Sequence, residues 1–176
     1  MKIPTEKQLE MIQKGITKVK RLGILYCTST PQAIVIAEEA KQAAKKLGMT
    51  PYPCSLHSDH LDRLPSVTET LANGVDVIYI PTDPILATKK NLIKIIEVSF
   101  RLKVPIIVVN DDAVELGALM ALHCDFREIG RQAAPMAIKI LNGMKPMDIP
   151  SQMPLGHRLT VNLKTAKRLG ISLNPH

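Results

Sequence analysis

The chain has 176 residues, of which 45% are apolar, 22% charged and 3% aromatic, with no tryptophan. That fits one globular domain with an aliphatic core, of the kind helices make when they pack on a parallel sheet buried on both faces. The net charge of +7 is spread along the chain and stacking aromatics are scarce, which argues against a nucleic-acid surface, and no segment approaches the roughly 20 apolar residues of a membrane span.

Residues 4–19 read as a helix. Thr5 and Gln8 form a T-x-x-Q capping box, and Leu9, Ile12, Ile16 and Val19 make one apolar stripe. The stretch has no apolar h-region or small-residue cleavage site, so it does not read as an export signal. RLGILYC (21–27) is a buried strand. Thr30 and Pro31 then suit the cap and first position of a helix that runs to about Leu47 and stops at Gly48. TPYPCSL (50–56) is a second strand, placed at or near a sheet edge by Pro51 and Pro53. Residues 58–74 make a weaker helix, disturbed by Pro65. VDVIYIP (75–81) is a clear strand, and Asp83-Pro84 repeats the cap-then-proline device before a helix reaching Leu102, with Leu86, Ile93, Ile96 and Phe100 inward. VPIIVVN (104–110) is another buried strand. After Asp112 come a turn, a strand near 118–126, and a helix over 127–143 with Ile129, Ala133, Ala137 and Leu141 aligned. A proline-rich connector (144–157), a strand and a short helix follow.

Residues 20–110 thus read β-α-β-α-β-α-β. Alternation with short loops implies a parallel sheet with right-handed crossovers, and such sheets hold ligands beyond the carboxyl ends of their strands. Three polar loops lie at those ends: residues 27–30, Thr82-Asp83, and 110–112. The candidate ligand-binding residues are therefore Thr28, Ser29, Thr82, Asp83, Asn110 and Asp111. Thr28 and Ser29 stand before a helix N-terminus, where free N–H groups favour an anion. Asp83 suits an ammonium or hydroxyl group, and equally suits a helix cap.

The three cysteines, Cys27, Cys54 and Cys124, show no metal spacing and read as small core residues; Cys27 and Cys54 would end neighbouring strands, close enough in principle for a disulfide. Of the histidines, His57, His60, His123, His157 and His176, none has a metalloprotease or other ligand spacing. No nucleophile elbow, catalytic triad order, phosphate loop or dinucleotide fingerprint occurs, so no enzyme and no cofactor is expected.

Six stretches, in series, resemble one family: GILYCTSTPQA, VDVIYIPTDP, VPIIVVNDD, LGALMALHCDFREIGRQAA, ILNGMKPMDIP and LTVNLKTAKRLGI. They are similar in order and spacing to ABC transporter substrate-binding proteins of the tryptophan/tyrosine-binding type. The resemblance implies a type 1 periplasmic-binding fold: a three-layer α/β/α sandwich with a mainly parallel sheet, in two lobes that close on a small solute. It begins in the middle of such a protein, so most of the first lobe is expected to be missing. It implies an N-terminal helix over 1–18, a ligand-binding lobe over 19–110, a segment over 111–157 that would return to the first lobe, and a strand and helix over 158–176 that rejoin the second. Thr82, Asp83 and Asp125 match the family's run, whereas Cys27, Thr30, Gln32 and Pro84 stand where the family has Asn, Glu, Asn and Asn.

The implied function is solute binding, with an amino acid as the type of ligand, a transporter permease as partner in the full-length protein, and a periplasmic or cell-surface setting. The alternative is a free-standing, non-catalytic interaction domain that self-associates and, if Met1 is the true start, is cytoplasmic. A regulator's effector domain would need a helix-turn-helix ahead of Met1, and none is present.

Overall fold

The computed structural model describes residues 3–16, 18–152 and 156–174. The elements in order are α1 (Thr5–Gly15), β1 (Arg21–Cys27), α2 (Pro31–Lys46), β2 (Thr50–Leu56), α3 (Leu64–Ala72), β3 (Val77–Tyr79), α4 (Lys89–Leu102), β4 (Ile106–Val108), α5 (Asp112–Leu116), β5 (Met120–Cys124), α6 (Phe126–Leu141), β6 (His157–Val161) and α7 (Leu163–Leu169). A 3-10 stretch, Ser58–Arg63, precedes α3.

The strands form one sheet in the order β2-β1-β3-β4-β5-β6. All neighbours are parallel except the β5–β6 pair, in which Met120 lies opposite Val161 and His123 opposite Arg158. Strand alternation sends Leu25, Ile78, Ile80, Ile106 and Val108 to one face, under α3, α4 and α5. It sends Leu22, Ile24, Val77, Tyr79 and Ile107 to the other, under α1 and α2. The result is the three-layer α/β/α sandwich that the family resemblance implies, built on the parallel sheet that the β-α alternation predicts. In α2 the inward residues Ala33, Ala37, Ala40 and Ala44 are all buried, and their small size lets the helix lie close on the sheet. Gly117 turns α5 into β5 at a φ of +126°, where a Cβ would also meet Ile96 and Phe100 at 3.0 Å.

Several local expectations are corrected. The capping box does not form. α1 starts one residue earlier than a Thr5 cap requires, and Thr5 Oγ1 donates to Glu39 on α2 at 2.9 Å. Gln8 turns into the core, where its amide donates to the Ile3 carbonyl (3.0 Å) and its oxygen accepts from the Tyr79 hydroxyl (2.7 Å). A buried tyrosine hydroxyl needs a partner more than a half-exposed helix end does. Thr30 holds the cap position of α2 without a side-chain cap bond. Pro65 sits in the first turn of α3, starting that helix rather than disturbing it. The helix after Asp83 begins only at Lys89, after a turn through Pro84–Ala87, and Ile93 is exposed. All three cysteines are free. In the connector, Met153, Pro154 and Leu155 lie outside the described residues, as does His176.

Within residues 111–157, α5 leads into β5, which pairs with β4. In α6 none of the 16 residues is buried, and Phe126, Ile138 and Leu141 are 78%, 57% and 84% exposed.

Candidate functional site

Order β2-β1-β3 means that the chain leaves β1 toward one side of the sheet and returns on the other, which opens a crevice above the carboxyl ends of β1 and β3. Asp83 closes its floor. The side chain is 1% exposed. Its Oδ2 accepts from the Cys27 backbone N–H at 2.6 Å, and its Oδ1 accepts from the N–H groups of Ile85 (3.0 Å) and Leu86 (3.1 Å). Both oxygens are thus occupied by the chain's own backbone.

Thr28 and Ser29 are turned to β2. The Thr28 N–H donates to the Leu56 carbonyl at 2.9 Å, with its hydroxyl 3.4 Å from the same oxygen. Ser29 Oγ donates to Ser58 Oγ and accepts from the Ser58 N–H, both at 2.9 Å. These contacts fix the loop after β1.

Two adjoining hollows lie above the sheet. One, of about 340 Å³, is walled by Ile80, Pro81, Pro84, Leu92 and Val108 with Asp83 at its base. The other, of about 190 Å³, has a mixed lining in which Gln8, Asp111, His123 and Cys124 stand among Ile3, Leu122 and Phe126. Gln32, Thr82, Val109 and Asn110 belong to both. The structure therefore brings Thr82, Asn110 and Asp111 together at the hollows, with Asp83 beneath, while Thr28 and Ser29 line neither. Polar contributors from outside the strand-end loops read from the sequence include Gln8 on α1, Gln32 in the first turn of α2 and His123 on β5. A larger, more open trough of about 1020 Å³ lies between α1 and α2, where Ile34 and Val35 stand beside the charged Glu6, Glu38 and Lys46.

His123 is 8% exposed. Its Nδ1 is 3.3 Å from the Cys124 carbonyl and its Nε2 2.9 Å from Thr160 Oγ1 on β6. Asp111 Oδ2 is 3.9 Å from the same Nε2. At the exit toward α6, Asp125 caps the helix by accepting from the N–H groups of Arg127 (3.0 Å) and Glu128 (3.2 Å), and pairs with Arg158 at 3.0 Å. The Glu128 N–H, with the Arg158 guanidinium, holds the Asp125 carboxyl below the usual carboxylate range. Among the described residues there is no cluster of side chains able to hold a metal ion, and no helix is long and apolar enough to cross a membrane.

The family model for ABC transporter substrate-binding proteins matches residues 2–176. A tyrosine-binding protein of Clostridioides difficile is 26% identical over 164 residues, which is 93% of this chain and 46% of that protein. A ligand-free, open structure of a substrate-binding protein with adhesive properties from Clostridium difficile superposes with a TM-score of 0.86 at 26% identity, covering 98% of this chain and 57% of that one. The ABC domain from Streptococcus pneumonia in complex with L-Trp gives a TM-score of 0.77 at 28% identity, covering 96% and 56% respectively. The chain spans about half the length of these relatives. With its α/β/α sandwich, its crevice at the strand ends and a family match along almost its full length, the chain belongs to the ABC transporter substrate-binding proteins of periplasmic-binding type 1 fold.

Proposed function

We propose that this chain forms one wall of an interlobe cleft that binds a small amphiphilic solute, an amino acid with a bulky apolar side chain, for delivery to an ABC transporter permease. The observation that carries this reading is the pair of adjoining hollows, one mainly apolar and one where polar side chains join apolar ones, that share Gln32, Thr82, Val109 and Asn110. The apolar hollow receives the side chain. Thr82, Asn110, Asp111 and Gln32 supply the hydrogen bonds that fix the polar end, which is the usual division of labour in small-molecule sites. Asp83, Thr28 and Ser29 serve the site by holding its loops in place.

The tyrosine-binding relative and the L-Trp complex support an aromatic amino acid as the ligand. In this reading the unburied face of α6 packs on the companion lobe, and ligand selects the closed arrangement of the two. The function is transport, with no bond made or broken, and its setting is the periplasm or cell surface.

Calorimetry with the proteinogenic amino acids tests this. Saturable binding of tyrosine or tryptophan, weakened about tenfold by Asn110→Ala, is the expected result. No heat of binding from any amino acid would overturn the assignment of ligand class.

A further inference from the structure

We propose that His123 decides whether Asp111 is free to hold a cationic group of the solute: the site takes an ammonium when the imidazole is neutral and gives it up when the imidazole is protonated. This rests on the solute-binding reading above and adds to it a ligand feature and a control.

The charge of the crevice comes first. Among the described residues no lysine or arginine lines either hollow. Asp83 is buried with both oxygens occupied. Asp111 is left as the carboxylate that can meet a ligand. Its side chain is 57% exposed and makes no capping bond to α5. The mixed hollow therefore presents a negative group to the solute.

The orientation of His123 supplies the control. The Cys124 carbonyl can only accept, so Nδ1 carries the proton that faces it. In the neutral ring, Nε2 then holds a lone pair and accepts from the Thr160 hydroxyl. That lone pair offers nothing to Asp111, whose carboxylate stays turned to solvent. A second proton on the ring makes Nε2 a donor. The distance of 3.9 Å to Asp111 Oδ2 then closes to an ion pair, and the carboxylate is withdrawn from the ligand.

Several groups face the imidazole. On its own strand and just beyond it are Cys124 and Asp125. From β6 come Thr160 and Arg158, the latter directly opposite His123 and tied to Asp125 at 3.0 Å. From the end of β4 come Asn110 and Asp111, and across the hollow stand the uncharged Gln8 and Gln32. Of these, Asp111 is a carboxylate, and Arg158 is a guanidinium already paired with Asp125.

Two measurements test the proposal. The first needs no ligand: the ring C–H signals of His123 are followed by NMR across pH 5 to 8, the range in which an imidazole changes charge, in the wild type and in Asp111→Asn. The His123 midpoint moves to lower pH in the variant if the two groups are coupled, and an unchanged midpoint overturns the proposal. The second is calorimetry at pH 5.5 and 7.5 with L-tyrosine, whose ammonium stays charged at both, and with its amine-free analogue 3-(4-hydroxyphenyl)propionate. L-tyrosine binding weakens about three- to tenfold at the lower pH, a range set by the screening of an exposed carboxylate, and the analogue shows no such loss. His123→Gln flattens the pH dependence whatever its absolute affinity. A pH dependence that survives in His123→Gln overturns the proposal, as does one shared by the analogue. Failure of L-tyrosine to bind at either pH counts against the ligand assignment instead, and the NMR titration still decides the coupling.

Discussion

The carboxylate of Asp83 accepts the backbone N–H of Cys27 at 2.6 Å, so a residue from the loop after β3 terminates β1. The contact joins the two strands at the point where the chain's direction across the sheet reverses. It also explains why a carboxylate can lie beneath the strand-end crevice with no oxygen left for a further partner.

Asp83→Ala leaves buried N–H groups without acceptors, and the cost is about 3 kcal/mol, within the range for orphaned buried donors. Asp83→Asn keeps an acceptor oxygen and costs about half as much. Urea unfolding of the two variants checks the order. An alanine variant as stable as wild type would mean that the loop does not depend on this carboxylate.

Tyr79 and Gln8 are joined by a buried hydrogen bond of 2.7 Å. Burial pushes the tyrosine hydroxyl well above its usual range, so it stays a donor at any pH the fold survives. Tyr79→Phe strands the glutamine oxygen and costs about 1–2 kcal/mol. The double variant Tyr79→Phe, Gln8→Leu recovers part of that loss, which a double-mutant cycle measures directly.

Gln32→Ala weakens solute binding about three- to tenfold while moving Tm little, because the side chain is exposed and lines both hollows. Thr28→Val does the reverse: its effect is on the loop, at about 1 kcal/mol of stability. Calorimetry beside thermal unfolding separates the two outcomes.

Asp76 accepts from the N–H groups of Lys20 (2.9 Å) and Arg21 (2.8 Å) and from the Arg21 guanidinium (2.7 Å). Burial alone would raise its carboxyl, but Arg21 and these N–H groups outweigh burial and hold it below the ordinary range. A depressed folded value means that the contribution is complete above the unfolded value of about 3.9 and fades as pH falls through the folded one. Stability therefore declines below about pH 4, and Asp76→Asn shows a shallower acid limb. Urea midpoints at pH 7, 5 and 3 read the difference.

Leu141 is 84% exposed on a helix with no buried residue. Leu141→Lys changes stability by less than about 0.5 kcal/mol in this chain. Backbone amides of α6 exchange far faster than those of β1 and β3, since α6 can open without disturbing either core. Hydrogen exchange read residue by residue would contradict this if α6 were as protected as β3.

Much of the fold was legible in the sequence because its signals are periodic. Val- and Ile-rich runs of strand length alternate with helical stripes, and the parallel sheet follows from that alternation. The crevice was legible for the same reason, since parallel strands must end together, and Thr82, Asn110 and Asp111 meet where their strands do. The direction of individual side chains was not legible. An aspartate before a proline looks the same whether it faces a solute or the end of another strand, and Thr28 and Ser29 looked free only because their partners on and beyond β2 are distant in sequence. Gln32 and His123 enter from α2 and β5, and only the register of helix and sheet brings them to the hollows. The T-x-x-Q pattern misled because it assumes an isolated helix end, and here a buried hydroxyl outcompetes the cap.

The two borders of the sheet are unequal. β2 carries Pro51 and Pro53, which have no N–H with which to recruit a further strand. β6 contains no proline, and its Leu159 is 39% exposed. Any intermolecular growth of the sheet in concentrated solution is therefore one-sided: it starts on β6, and a lysine or proline placed there is the change that would suppress it.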